Sequence, residues 1–320
     1  MSRWSRIAIV SALALAFGAS AASAQQPQQQ RQGQRPAVQE RAERGPSPMK
    51  RPANLRVPAP YDYATFQRPI AMADNVWMNE LTVIELRDLV NKYGYKTAII
   101  PNGTMESNGP YLTTGKHNHV LRVTADRVAR TLGNALVTPI VMLDSGDPSK
   151  AGYPGRIVLR EETLQAMLKD MATSLKAQGF TEIFFIGDSG SNQNTLAKVA
   201  TDLAAEWKGQ PVLVSHIREY YNYGDVLKYE NDVLGVGELD NGLDGYHDDY
   251  YITSLIMNDS PRHVRYDERV KVGLNQINGL PLRLNEALDV GSKLAQFRAD
   301  VTVKAINERR AAQATQQAAR

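Results

Sequence analysis

Apolar side chains recur along the chain with two different periods. Segments with the helical period of three to four residues, such as 161–177, alternate with short continuous apolar runs, such as 182–186, that are typical of buried strands. This alternation predicts a three-layer α/β/α fold, in which a mostly parallel central sheet lies between two layers of helices. The helices are predicted over about 82–93, 120–132, 161–177, 192–207 and 285–312, and the strands over about 96–100, 135–142, 182–186 and 211–216.

The first 56 residues do not follow this pattern. Residues 1–24 combine two arginines, an apolar run and closing small residues, as a secretory signal peptide does. Their apolar run is shorter than the ~20 residues that span a membrane. Residues 25–56 are rich in Gln, Arg and Pro and poor in apolar side chains, so they predict a disordered tether. We therefore predict a periplasmic or secreted protein with no membrane span, a folded domain over 57–312 and a frayed tail over 313–320.

Composition excludes several classes of protein. The chain has 320 residues, a formal net charge of +3 and no cysteine, so neither a disulfide framework nor a lipoprotein anchor can form. Basic residues are concentrated in the tether, where they lack interleaved aromatic residues and a folded frame, and this argues against a nucleic-acid partner. The tether either solubilises the protein or attaches it to an anionic surface.

Three polar segments are candidates for a functional site. The segments 101–119 and 187–192 directly follow predicted strands, and 244–255 lies further along the chain. Open α/β sheets bind their ligands at the carboxyl ends of the strands, so we expect these segments to contribute to one site. The side chains in them that can bind a ligand or move a proton are Glu106, Asn108, His117, Asp188, Ser189, Ser191, Tyr246 and His247.

The first of these segments resembles a known family. It keeps the spacing of a pattern that reads P-x-G-S-x-E-Q-H-G-P-H-L-P in the creatininase (creatinine amidohydrolase) family, and the resemblance continues in order through 153–156, 244–255 and 278–281. The residues that match the pattern are Pro101, Gly103, Glu106, Gly109, Pro110 and Leu112. This resemblance implies a creatininase-like fold, a homo-oligomer and hydrolysis of a non-peptide C–N bond in a small amide.

The family's metal ligands are only partly retained. In the family, Glu, His and Asp hold a pair of divalent metals, whereas here Asn108 stands at the position of the His and His117 at that of the Asp. Ser189 and Ser191 stand at the positions of further ligands, and Ile252 replaces a Glu. Two adjacent divalent cations need bridging and terminal carboxylates to offset their charge, and this set is too neutral for that.

At most one divalent metal, Zn or Mn, is therefore predicted. Glu106, His117 and Asp188 are the predicted ligands, and His119 is an alternative to Asp188 as the third. No metal at all is the alternative that the residues leave open.

An active site with one metal would follow the family's chemistry. The metal would supply hydroxide that attacks the amide carbonyl, and His247, at the position of the family's catalytic His, would pass a proton to the leaving nitrogen. Asn108, Ser191 and Tyr246 are the predicted substrate-binding residues of the same site.

Two other functions remain open from the sequence. The loss of metal ligands is compatible with a non-catalytic protein, a pseudoenzyme that binds a small ligand in a tyrosine-rich pocket. Alternatively, Gly187-Asp188-Ser189 resembles the Gly-Asp-Ser block of serine esterases, and Asp244 precedes His247 by three positions as in those enzymes. Ser189 and His247 would then be the catalytic pair.

Overall fold

The computed structural model describes residues 62–239 and 248–318. The predicted signal peptide, the predicted tether, Tyr246 and His247 lie outside the described residues. Among the described residues, no helix is long and apolar enough to cross a membrane.

Helices and strands alternate through the first two thirds of the described chain. The helices of the described residues are α1 (Val83–Asn91), α2 (Lys116–Leu132), α3 (Glu161–Ala177), α4 (Gln193–Glu206), α5 (Tyr223–Tyr229), α6 (Tyr250–Met257), α7 (Tyr266–Lys271) and α8 (Leu284–Ala318). The strands of the same residues are β1 (Thr97–Asn102), β2 (Ala135–Val137), β3 (Asp144–Ser145), β4 (Val158–Leu159), β5 (Glu182–Gly187), β6 (Leu213–His216), β7 (Gln276–Ile277) and β8 (Leu280–Pro281).

The central sheet of the described residues has four parallel strands in the order β2-β1-β5-β6. Neighbouring residues of a strand point to opposite faces. Ile100 and Phe185 accordingly pack on one face with α3 and α4, and Ile99 and Phe184 pack on the other face with α2 and α8. The predicted α/β/α class with a mostly parallel sheet is therefore confirmed.

Most helix limits follow the signals in the sequence. Thr82 caps α1 through a reciprocal capping box with Glu85, and α3 covers the predicted 161–177. In contrast, α2 begins at Lys116 instead of near 120, so His117 and His119 lie in its first turn.

Two further predictions of element limits are corrected. The strand predicted over 135–142 ends at Val137, because Pro139 has no N–H to continue a ladder. The last helix continues to Ala318 beyond the predicted limit at 312, because its end is rich in Ala and Gln, which favour helix.

Two carboxyl groups lie close together before α6. The Glu238 carboxylate accepts hydrogen bonds from the backbone N–H groups of Tyr250 and Tyr251 at the start of that helix. Glu230 lies in a π-helical turn and is fully buried. Burial, followed by the charge and hydrogen bonding of Glu238, raises the pKa of Glu230 to about 9. Glu230 is therefore protonated at neutral pH.

We expect Glu230→Gln to raise the unfolding temperature at pH 8 by roughly 2–6 °C. In the unfolded chain Glu230 releases its proton near its ordinary pKa of 4.5, whereas the folded protein holds it up to about pH 9. The contribution of Glu230 to the free energy of unfolding is thus complete below pH 4.5 and declines as the pH rises to about 9. The amide of Gln has nearly the same shape as the protonated carboxyl and does not titrate. Differential scanning fluorimetry of both proteins from pH 5 to 9 measures this difference.

Asp232→Asn is the control, because Asp232 lies in the same helical turn but is exposed. It should shift the unfolding temperature by less than about 1 °C at every pH. A difference between wild type and Glu230→Gln that does not grow with pH would disprove the raised pKa.

Candidate functional site

The site lies where the carboxyl ends of β1 and β5 meet the first turn of α2. Residue Asn102 of β1 is in register with Gly187 of β5, so the segments that follow the two strands leave the sheet side by side. The loop after β1 can pass close to α2 because Gly103 has no side chain. A Cβ at position 103 would lie 2.0 Å from Oδ1 of Asn118. Nδ2 of Asn118 donates to the carbonyl of Thr104 at 3.0 Å. This contact fixes the loop that carries Glu106 against the helix that carries His117.

His117 bridges two carboxylates at the centre of the site. Its Nδ1 lies 2.8 Å from Oδ2 of Asp188, and its Nε2 lies 2.8 Å from Oε1 of Glu106. Burial disfavours the charged ring, but the hydrogen bonds to Asp188 and Glu106 outweigh it and raise the pKa of His117. Both carboxylates accept, so an imidazolium that donates from both nitrogens satisfies this arrangement.

Each of these carboxylates also has a side-chain cation. Nζ of Lys116 lies 2.9 Å from Oε1 of Glu106, and Nη2 of Arg298 lies 2.7 Å from Oδ1 of Asp188. Burial alone would raise the pKa of Asp188, but the charge of Arg298 and the hydrogen bond from His117 lower it. Burial is likewise outweighed at Glu106, where His117 and Lys116 lower the pKa of the carboxyl. Both carboxylates are therefore ionised within a network that contains its own positive charges.

Arg298 reaches the site from α8 and is held on several sides. Its Nη2 also donates to the backbone carbonyl of Tyr220 at 3.0 Å, and its guanidinium carbon lies 4.3 Å and 4.8 Å from the ring centres of Tyr220 and Tyr223. The hydroxyl of Tyr223 donates to Oδ2 of Asp188 at 2.7 Å. Arg298 and Asp188 have fully buried side chains, so this ion pair replaces their lost hydration.

A divalent metal does not fit the predicted ligand set. Oδ1 of Asp188 faces Arg298, and its Oδ2 already accepts from His117 and Tyr223. Both ring nitrogens of His117 are occupied by carboxylates. A cation at these atoms would have to displace Arg298 or Lys116, which repel it. The structure thus brings Glu106, His117 and Asp188 together, but as an ion-paired network.

A cavity of about 240 Å³ opens beside this network. It is smaller than the 300–1,000 Å³ pockets that hold drug-sized ligands, so it suits a compact molecule. Charged, hydroxyl and aromatic groups line it: Glu106, Lys116, His117, Ser189, Gly190, Tyr221, Tyr223, Asp249, Tyr251 and Ile252.

Ser189 is oriented by a chain of hydrogen bonds that ends at a buried carboxylate. The hydroxyl of Ser191 donates to Oδ2 of Asp144, and the hydroxyls of Ser189 and Ser191 lie 2.8 Å apart. Because the proton of Ser191 is directed at Asp144, Ser189 must donate its own proton to Ser191. The oxygen of Ser189 is therefore an acceptor towards the cavity that this residue lines.

The other predicted site residues occupy different places. Nδ2 of Asn108 donates to the backbone carbonyls of Glu106 and Thr113, each at 3.2 Å, and so holds the loop. Ser191 contacts Ser189 and Asp144 and is not among the described residues that line the cavity. The catalytic role of His247 and the substrate-binding role of Tyr246 stay predictions, as does the esterase pair of Ser189 and His247, because 240–247 lie outside the described residues.

Sequence reasoning missed Lys116 and Arg298 as members of the network, and it placed Tyr223 only among the tyrosines of the pocket, without its hydrogen bond to Asp188. A signal was present for Arg298, which follows the apolar residues Leu294 and Phe297 on the buried side of α8. A charged side chain on an apolar stripe is almost never buried unless it is paired.

An α/β/α fold with a polar cavity at the carboxyl edge of a parallel sheet places this chain among the open α/β proteins, whose ligand sites lie at that edge. The family model for creatininase, described as creatinine amidohydrolase, matches residues 79–287, well over half of the chain. The chain belongs to the creatininase family, as the motif resemblance predicted. A comparison of the sequence with curated proteins finds no match.

Solved creatininase structures have the same fold. A mutant creatininase is similar with a TM-score of 0.54 and 20% identity, over 73% of this chain and 98% of that one. A mutant creatininase of the Zn-Zn type has a TM-score of 0.50 and 20% identity over 74% and 97% of the two chains. A creatininase with Mn has a TM-score of 0.51 and 18% identity over 73% and 96%. The metals are features of those proteins, and the similarity establishes the fold of this one.

Proposed function

We propose that this protein binds a small polar amide in the cavity beside Glu106 and His117, with side-chain cations in place of metal ions. One observation carries the proposal: the half-buried carboxylate of Glu106 and the buried carboxylate of Asp188 are each paired with a cation of the chain, Lys116 and Arg298 respectively. The positive charge that such carboxylates need is therefore already present.

The polar groups of the cavity match those of an amide. Ser189 offers an acceptor for an amide N–H, as argued above from its contact with Ser191. The Lys116 ammonium has three donors, of which Glu106 takes one, so it can also donate to a carbonyl oxygen. The rings of Tyr221, Tyr223 and Tyr251 pack against one another and provide apolar faces for a planar ligand.

Hydrolysis of the bound amide is the second candidate function, and membership of the creatininase family favours it. Hydrolysis adds one water across the C–N bond, and Lys116 is placed to stabilise negative charge on the carbonyl oxygen. The reaction also needs a base for the water. Glu106 lines the cavity, but its lowered pKa makes it a weak base. We therefore place binding ahead of hydrolysis.

We expect that at least one member of a panel of small cyclic amides, which includes creatinine, binds the EDTA-treated protein. Lys116→Met should weaken that binding at least about tenfold. The substitution keeps the apolar stem of Lys116 and removes the donor to the ligand. Isothermal titration calorimetry measures binding, and detection of the released product measures hydrolysis.

Lys92→Met is the matched control, because Lys92 is exposed, pairs with Asp88 at the end of α1 and does not line the cavity. It should leave the affinity unchanged. Binding that disappears with EDTA, binding that is unaffected by Lys116→Met, or no binding across the panel would each refute the proposal. Product formed by wild type in EDTA would establish the second candidate function.

A further inference from the structure

We infer a zinc site formed by His119, Asp259 and His263, outside the network around His117. Nδ1 of His119 lies 2.8 Å and Nε2 of His263 lies 3.1 Å from the same oxygen, Oδ2 of Asp259. The three candidate ligand atoms all lie within 4.8 Å of one another. In a tetrahedral zinc site with bonds of 2.0–2.1 Å, ligand atoms are about 3.3 Å apart. Shifts of a few tenths of an ångström and a rotation of the rings would complete the geometry.

Three separate segments bring these side chains together. His119 lies in the first turn of α2, where its N–H donates to the carbonyl of Gly115 at 3.1 Å. Asp259 follows α6, and its N–H donates to Ile256 at 3.0 Å. His263 lies in a short 3₁₀ turn, Pro261–Val264, that begins two residues later. The backbone of each ligand is therefore fixed before any ion binds.

The 3₁₀ turn is also joined to the loop that precedes α2. The carbonyl of His263 accepts from the N–H of Thr113 at 3.0 Å. An ion bound here would strengthen an existing connection between the start of α2 and the segment after α6.

The charge of the cluster favours a cation. The rings of His119 and His263 stack with their centres 3.5 Å apart and their planes 17° from parallel. Two protonated rings at that distance repel each other, and a single carboxylate does not offset both charges. Two neutral rings and one carboxylate form the donor set that suits Zn²⁺, in which each imidazole uses one nitrogen.

The cluster is accessible to an ion in solution. The side chains of His119, Asp259 and His263 are 21%, 22% and 29% exposed. Three protein ligands with this exposure leave a fourth position for water, as in zinc sites that remain open. None of the three residues stands at a position that the family resemblance assigns to a metal. His119, predicted from the sequence as an alternative third ligand, has its Nδ1 next to Asp259.

The test uses the full chain without a histidine tag, stripped with EDTA and then titrated with Zn²⁺. We expect one Zn²⁺ per chain by calorimetry and by elemental analysis after desalting, and a rise of several degrees in the unfolding temperature. His263→Gln and Asp259→Asn should each weaken Zn²⁺ binding at least tenfold. Co²⁺ added to wild type should give the visible absorption of a four-coordinate site.

His216→Gln is the matched control, because His216 lies at the end of β6, outside the cluster, and should leave Zn²⁺ binding unchanged. Circular dichroism confirms that the variants are folded, and the Co²⁺ spectrum of wild type tests the site if a variant is not. If Zn²⁺ does not bind stoichiometrically, or if wild type and His263→Gln bind it equally well, the three residues form only a hydrogen-bonded cluster and the zinc site is refuted. These residues are not those of the cavity, so this result and the Lys116→Met result are independent.

Discussion

Replacing Arg298 with Met is expected to lower the free energy of unfolding by about 3–5 kcal/mol, because Oδ1 of the buried Asp188 carboxylate would lose the guanidinium that pairs with it. Both side chains are fully buried, and their closest atoms lie 2.7 Å apart. Met fills much of the volume of the Arg stem, so the loss of charge dominates over the loss of packing. Urea unfolding followed by circular dichroism at pH 7 measures the change.

The same helix provides the control for this substitution. Arg309 of α8 pairs with Glu219 at 2.6 Å, but their side chains are 35% and 39% exposed. Arg309→Met should therefore cost less than about 1 kcal/mol. Adding Asp188→Asn to Arg298→Met removes the unpaired charge and should recover part of the loss. Equal effects of the two single Arg substitutions would contradict the buried ion pair as a major source of stability.

Gly291→Ala is expected to destabilise the protein by about 1–3 kcal/mol, although Ala favours helix over Gly by about 1 kcal/mol. Gly291 lies where α8 crosses α6. A Cβ there would lie 1.9 Å from the carbonyl oxygen of Ser254 and 2.5 Å from Nδ2 of Asn258. That amide donates to Ser254 and to Leu288, so it connects the two helices. The added methyl group must push α6 and α8 apart.

Gly224→Ala in α5 tests the opposite expectation. No atom lies within 4 Å of a Cβ at Gly224, so only the gain in helix propensity of up to about 1 kcal/mol applies. Thermal unfolding of the two variants should shift in opposite directions. A stabilised Gly291→Ala protein would show that the two helices do not approach each other closely at this position.

The fold was largely predictable because its signals are local. The helix over 161–177 has an apolar stripe on one side and ends before a glycine with positive φ, Gly179, so both of its limits could be read from the sequence. The start of α2 could not, since Lys116-His117-Asn118-His119 has no apolar residue to mark a buried face. The first turn of α2 is buried through polar contacts with residues distant in the sequence. The hydrophobic periodicity carries no information about such contacts.

The site was predictable only in part for the same reason. Glu106 and Asp188 follow adjacent parallel strands, so their proximity follows from topology. Arg298, which pairs with Asp188, is 110 residues away in the sequence. It lies on α8, and the spacing of the motifs does not predict where this helix packs. The ligand set therefore suggested a metal, whereas the folded chain supplies Arg298 and Lys116. The charges of a site depend on every element that packs against it.

The position of Arg298 in the last helix also orders the events of biosynthesis. A ribosome releases Asp188 well before it releases Arg298, since synthesis proceeds from the amino terminus. During that interval the Asp188 carboxylate has His117 as a partner but lacks Arg298, so burying it fully is less favourable. Docking of α8 then supplies Arg298 and completes the domain. An unfinished chain therefore differs from a finished one in the pairing of Asp188.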